Sequence, residues 1–522
     1  MKEFDVIIIG GGITGAGTAR DCALRGLRTL LIERDDIACG ASGRNHGLLH
    51  SGARYAVNDP ESATECIKEN MIIRRIARNC VDPTDGLFIS LPEDGLDYQA
   101  NFIAKCKQAG IRTEVLSPKK ALALEPAVNP ALIGAVRVPD ASVDPFRLVA
   151  ANVLDARLHG AEVMTRCEVT SLIMDGATVK GVKVLDKATG QTENIYAHYV
   201  VNAAGIWGAH IAELAGVKIG MLPSKGTLLV FNHRVARMVI NRCRKPANAD
   251  ILVPGDVVSV IGTTSDKVPF EQCDDMRATK EEVELLLREG CQLVPELANT
   301  RIIRAYAGVR PLVASDDDPS GRNVSRGIVL LDHAVRDNVR GFISITGGKL
   351  TSYRLMAEMT TDLICKKLGM EKACRTAELY LPGSEPDKTK ATSVVMQAAK
   401  GRHGNQVAAM TFDEKGSEVV CECEQVSRAE ISYAVKVLGV RTLDDLRRRT
   451  RVGMGPCQSC YCVKKAAQVL AEELGEGYDA ESLEREYLQQ RWKGIAPVCW
   501  GDTLAEAELL RKKYGKCDTM SL

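Results

Sequence analysis

Residues 5–34 read DVIIIGGGITGAGTARDCALRGLRTLLIER, and this stretch decides the fold. Val6 to Ile9 form an unbroken β-branched run, the composition of a central parallel strand covered on both faces. Gly10, Gly12 and Gly15 follow with the spacing G-x-G-x-x-G. The first permits a tight turn and the second lets the backbone approach a pyrophosphate. The third lets the next helix pack close to the strand, so that the phosphate meets a helix N-terminus. Glu33 ends a second strand eighteen residues past Gly15, with Arg34 beside it. An acid there binds an unphosphorylated ribose, which favours FAD or NAD over NADP.

Residues 198–208, HYVVNAAGIWG, give a second buried-type strand followed by Ala203, Ala204 and Gly205. Such a turn returns to the flavin site in two-domain flavoproteins, and by itself it is equally an ordinary strand-to-helix turn. No second G-x-G-x-x-G is present for a separate pyridine nucleotide. FAD is therefore the expected cofactor.

Composition narrows the classes. The chain has 522 residues, 45% of them apolar, enough for a large core. Lys plus Arg (68) and Asp plus Glu (67) nearly cancel, so no chain-wide basic field exists to hold nucleic acid. No apolar stretch reaches the ~18 residues a membrane-spanning helix requires. Eighteen cysteines without a secretion leader predict free thiols in a reducing compartment. The sequon-like Asn323-Val324-Ser325 is then without consequence, and Asp316-Asp317-Asp318 before Pro319 reads as a solvated turn.

Five segments together, GGGITGAGTARD, GASGRNHGLLHSGARY (residues 40–55), VNAAGIWG, GVRPL (308–312) and ITGGKLTSYR (345–354), resemble the FAD-dependent glycerol-3-phosphate dehydrogenases of the D-amino-acid-oxidase superfamily. The C-terminal part narrows the resemblance to anaerobic members, whose catalytic chain pairs with a B subunit plus a membrane-anchoring iron–sulfur C subunit. The resemblance implies oxidation of sn-glycerol 3-phosphate to dihydroxyacetone phosphate, with electrons passing to the quinone pool at the cytoplasmic face of a membrane.

That chemistry needs fixed cations for a dianionic phosphate, a base for the hydroxyl, and a flavin facing the carbon that loses hydride. The family resemblance puts the substrate cations at Arg54, Arg310 and Lys349. Tyr55 adds a hydroxyl, and Thr264, or its neighbour Thr263, ends a strand that could touch substrate. Pro311 would fix the turn at Arg310, and an arginine fork suits phosphate. Gly347 and Gly348 would allow close approach of Lys349 and Leu350 to the isoalloxazine. His50 is the candidate base, a neutral imidazole being suited to alcohol deprotonation near neutrality. Arginine-assisted alkoxide formation is the alternative. His46, Ser42, Arg44 and Asn45 fall in the family's FAD-contact region.

Cys421 and Cys423 are separated by one residue, Cys457 and Cys460 by two, and 33 residues lie between the pairs. The pattern resembles the [2Fe–2S] domain of bacterioferritin-associated ferredoxins. Four thiolates also suit zinc, and Cys462 competes with Cys460 as fourth ligand.

The expected architecture is α/β. A doubly wound FAD domain (1–80, 141–224 and 321–370) carries an inserted, mostly antiparallel cap (81–140 and 225–320). A linker and helix (371–415), a small α-helical cysteine domain (416–475) and a charged tail (476–522) follow. Two other functions remain compatible: oxidation of another hydroxy acid or an amine, and non-catalytic flavin/iron–sulfur electron transfer.

Overall fold

A computed structural model describes residues 3–313, 327–386 and 389–514 of the chain. The Asp316–Asp318 turn and the Asn323 sequon lie outside the described residues.

The opening stretch folds as strand β1 (Glu3–Ile9), helix α1 (Ile13–Leu24) and strand β2 (Thr29–Ile32). Val6, Ile7 and Ile8 are fully buried, each contributing about 1.5–3 kcal/mol of burial. β1 runs parallel to β2 on one side and to Thr192–Asn202 on the other. The eight-stranded sheet also takes Glu162–Met164 at one edge and the hairpin Cys167–Asp175/Thr178–Asp186 at the other. Phe342–Gly347 joins parallel to Thr192–Asn202.

Three helices, α1, Pro145–Leu158 and Tyr353–Leu368, cover one face. Gly17 allows this layer to close, since a Cβ there would sit 2.8 Å from the Tyr353 ring. The opposite face is buried under the edge hairpin and the short helix Gly208–Glu213. Sheet, helices and parallel order define a doubly wound α/β domain.

The cap is a nine-stranded sheet whose longest pair, Met221–Phe231 against Ile302–Val313, is antiparallel. One pair, Val239–Arg242 with Gly86–Ser90, runs parallel. Helix Lys280–Leu293 buries Val283, Leu286 and Leu293 on this sheet and starts with a Thr279/Glu282 capping box.

The C-terminal helices Arg428–Lys436, Leu443–Thr450 and Val463–Leu474 enclose a core of Ile431, Leu446, Val463 and Leu470. They dock on the FAD domain through ion pairs. Asp36 accepts from Arg449 (2.6 Å) and Arg448 (2.8 Å), and Asp445 from Arg166 (2.6 Å).

Residues 480–514 correct the expected tail. They form two helices, Ala480–Ile495 and Gly501–Tyr514, that strap the cysteine domain to the cap. Leu483, Tyr487 and Leu488 enter the cysteine-domain core, and Val498 enters the cap core. Thr503 donates to the Ile302 carbonyl, and Arg301 pairs with Glu506 at 3.0 Å. High charge hid a narrow apolar stripe, which a polar helix needs only on its docked side.

Candidate functional site

The glycine turn is required sterically. Gly10 has φ +113°, and a Cβ there would lie 2.6 Å from the Ala203 carbonyl oxygen. A Cβ on Gly15 would lie 1.9 Å from the Gly10 oxygen, so Gly15 packs behind the loop and does not line the cavity. Gly12 caps α1 without a side chain, and the helix's first turn carries no acid. The positive end of the helix therefore opens on the cavity. Ser42 ties the neighbouring loop to it, its Oγ accepting from Ile13 N–H at 2.9 Å.

Glu33 accepts from the Gly11 N–H (2.6 Å) and the Asp35 N–H (2.9 Å). Burial nevertheless pushes its carboxyl above the usual carboxylate range. The Arg34 guanidinium lies over Trp207, 4.5 Å from the ring centroid, and both side chains reach Asp274. Ala203, Ala204 and Gly205 complete this end.

From here a cavity of about 820 Å³ runs to the cap. It is lined by Arg44, Asn45, His46, His50, Arg54, Tyr55, Gly348, Lys349, Leu350 and, from the cap, Thr263 and Arg310. The tight turn of residues 52–55 brings Tyr55 to 5.2 Å from the His50 ring and 4.7 Å from the Lys349 ammonium. Gly348, at φ +63°, faces the Met356 sulfur where a Cβ would be 2.4 Å away.

Arg310 is braced by oxygens of the cap. It donates to Ser224 Oγ and the Lys225 carbonyl at 3.2 Å, to the Thr264 carbonyl at 2.9 Å, and to Thr263 Oγ1. Arg54 donates to Asp250 at 3.2 Å, so part of its charge is already engaged. His46 is not available as an acid. Burial, then Arg310 and Arg54, push its imidazole down to about 3, and its Nδ1 accepts from the Leu48 N–H. Asn45 braces the same loop through the Ser42 carbonyl and the Gly47 N–H.

One expected contact fails. Thr264 is buried, accepting from the Thr227 N–H (3.0 Å) and donating to Glu282 (3.1 Å). Both threonines lie just past the strand Ser259–Gly262, and these bonds hold the Thr264 side chain in the cap while Thr263 lines the cavity. Trp207, Ser224 and Asp250 carry no local signal in the sequence, because their value lies in which arginine they meet across the fold.

The cysteines form two thiol pairs, Cys421 with Cys462 and Cys423 with Cys457. Within each pair the acceptor thiol, Cys421 or Cys457, is held below its usual value and its partner above it. The backbone N–H groups of Tyr461, Ser459 and Cys460 further favour the Cys457 thiolate. Among the described residues no three metal-binding side chains already stand as one cage. Four mutually coupled thiols nonetheless have the donor chemistry of a [2Fe–2S] site. The open helix N-terminus, glycine turn and ribose-side acid likewise fit a dinucleotide.

Comparison with known proteins agrees with both halves. The FAD dependent oxidoreductase family matches residues 5–354, and the BFD-like [2Fe-2S] binding domain matches residues 419–472. The chain is thus an FAD-dependent oxidoreductase with an iron–sulfur domain. It is 60% identical to the A subunit of the anaerobic glycerol-3-phosphate dehydrogenase of Escherichia coli (strain K12), over 99% of this chain and 97% of that one. It is 42% identical to the A1 subunit of the corresponding Haloferax volcanii enzyme, over 97% and 89%. The glycerol-3-phosphate dehydrogenase of Bacillus halodurans complexed with FAD superposes with a TM-score of 0.71 at 25% identity, covering 95% of this chain and 96% of that chain. The chain belongs to the family of anaerobic glycerol-3-phosphate dehydrogenase A subunits.

Proposed function

We propose that this chain oxidises sn-glycerol 3-phosphate to dihydroxyacetone phosphate as the catalytic member of a complex with a B subunit plus a membrane-anchoring iron–sulfur C subunit, feeding electrons to the quinone pool. The observation that carries this reading is the convergence of Arg310, Lys349, Arg54 and His50 on the cavity that begins at the glycine turn.

Gly10, Gly12, Glu33, Arg34, Ser42, Arg44, Asn45, His46, Ala204, Gly205, Gly348 and Leu350 hold the dinucleotide in this reading. Bound FAD supplies the hydride acceptor. Arg310 and Lys349 bind the substrate phosphate, with Arg54 and Tyr55 at the same end. The cap oxygens around Arg310 keep its fork aimed at the cavity. His50 takes the proton of the substrate hydroxyl, and His46 stays neutral beside it. Cys421, Cys423, Cys457 and Cys462 ligate the cluster, Cys462 being the thiol beside Cys421. No helix among the described residues is long and apolar enough to cross a membrane. Attachment at the cytoplasmic face then runs through the partner subunits.

Anaerobic addition of sn-glycerol 3-phosphate to the purified protein is expected to bleach its visible flavin absorption, with no bleaching by glycerol or lactate. Bleaching by lactate at a similar rate would overturn the substrate assignment.

A further inference from the structure

A second cavity, of about 1030 Å³, lies where the FAD domain, the cap and the cysteine domain meet. It shares Cys39, Arg44, Asn45 and His46 with the flavin-side cavity, and Gln458, next to Cys457, lies on its far wall. Neither the oxidation of substrate nor the binding of a cluster makes use of it.

Its walls hold two arginines, Arg491 buried and Arg304 partly buried, that differ from the paired arginines of the interior. Arg20, Arg354, Arg402 and Arg449 each meet a carboxylate at 2.6–2.7 Å. Arg491 is 2% exposed, and its Nε and Nη2 atoms have no hydrogen-bond partner among the described residues. Arg304 likewise has a buried, unpartnered Nε and no ion pair among the described residues. Burial and mutual repulsion with Arg447 hold both guanidiniums below their ordinary value.

The acids on the same walls are already engaged. Asp444 accepts from Arg447 at 2.8 Å, Asp445 from Arg166 at 2.6 Å, and Asp275 from Arg277 at 2.7 Å. Asp274 meets Arg34, and Glu486 is exposed. An arginine does not shed its proton in a protein, so an uncompensated buried pair costs several kcal/mol per ion. A counter-anion from outside the chain removes that cost.

We propose that this cavity binds a phosphomonoester, its phosphate held by Arg304 and Arg491. The volume exceeds what inorganic phosphate needs and falls at the upper end of small-molecule sites, about 300–1,000 Å³. An organic body therefore accompanies the phosphate, resting against Tyr306 and Tyr487. Each of these rings already lies about 6 Å from one of the two guanidiniums. The occupant would sit between the flavin-side cavity and the thiol pairs.

Thermal unfolding of the FAD-saturated protein tests this, with inorganic phosphate, AMP, or sodium chloride at matched ionic strength. Both phosphates should raise Tm beyond the chloride control, AMP acting at a concentration at least tenfold lower than phosphate. Arg491→Met and Arg304→Met should each lose the shift, keep their FAD, and melt no lower than the parent without anion. Arg310→Ala, altered only at the first cavity, should keep the shift. No shift beyond chloride, or an undiminished shift in Arg491→Met and Arg304→Met, overturns the site. Melting of both variants far below the parent without anion also overturns it, because the arginines would then be internally satisfied. AMP acting no better than phosphate overturns the organic body.

Discussion

The flavin-side cavity and the seam under the cysteine domain use arginine in opposite ways. In the cavity, hydroxyl and carbonyl oxygens of the cap hold Arg310 and aim its fork. In the seam, Arg448 and Arg449 both fall on Asp36, and their charge is consumed in docking one domain on another. The seam thus gathers two cations on one carboxylate, while the cavity spreads the Arg310 fork over several oxygens of the cap. The carboxylates divide the same way. Burial raises Glu33 at the nucleotide end, whereas arginines depress Asp36 and Glu430 at the seam.

The largest effect should come from the thiol pairs. Cys421→Ser and Cys462→Ser are expected to abolish the iron–sulfur EPR signal and bound iron, while Cys460→Ser retains both. Loss in Cys460→Ser with retention in Cys462→Ser would reverse the ligand assignment.

Next is the seam itself. Asp36→Ala leaves the buried Arg449 guanidinium without its carboxylate and Arg448 with Asp445 alone, a loss of about 3–5 kcal/mol. Denaturant unfolding should show the cysteine domain melting ahead of the FAD domain; an unchanged single transition would refute this role.

Acid should separate the two regions. Glu430, held down to about 2 by Arg402 and His403, and Asp36, held down by Arg449 and Arg448, both lie below their unfolded values. Their stabilisation is complete above pH ~4.5 and is lost as pH falls towards ~2, on the order of 3 kcal/mol for Glu430. Glu33 has the opposite sign, its contribution falling as pH rises through its unfolded value. Hydrogen exchange at low pH should expose helix Leu443–Thr450 before strand β1, and simultaneous exposure would contradict the contrast.

A smaller loss is expected at the substrate end. Arg310→Ala should raise KM for sn-glycerol 3-phosphate by about 10–100-fold, the size of a lost charge-assisted hydrogen bond. An unchanged KM would remove Arg310 from the phosphate site. The smallest effect concerns His46, which is already neutral. His46→Gln should leave the acidic limb of the kcat/KM profile where it was, and a displaced limb would show that His46 titrates in the working range.

Local sequence carried the nucleotide end well. The packing of Gly15 depends on the Gly10 carbonyl a few residues away, so spacing alone reveals it, whereas the neighbour that crowds Gly10, Ala203, is remote. The cavity was legible as a set of residues, because each cation lies in a short motif with glycine or proline. Which threonine faces it was not legible: remote partners, Thr227 and Glu282, hold Thr264 in the cap and leave Thr263 at the cavity. The helices at 480–514 were obscured by their charge, since only Leu483, Tyr487 and Leu488 disclose the docked face.

By itself, the sequence determined the dinucleotide turn, the α/β class and the four-thiol chemistry, because these rest on spacing and on the donor type of each side chain. Only the tertiary structure decided that Cys462 pairs with Cys421, that Asp36 meets Arg449 across 413 residues, and that Arg304 and Arg491 line one cavity with no ion pair to either among the described residues. Those outcomes depend on distances between remote segments, and the free energy of a charge is set by what the fold brings beside it.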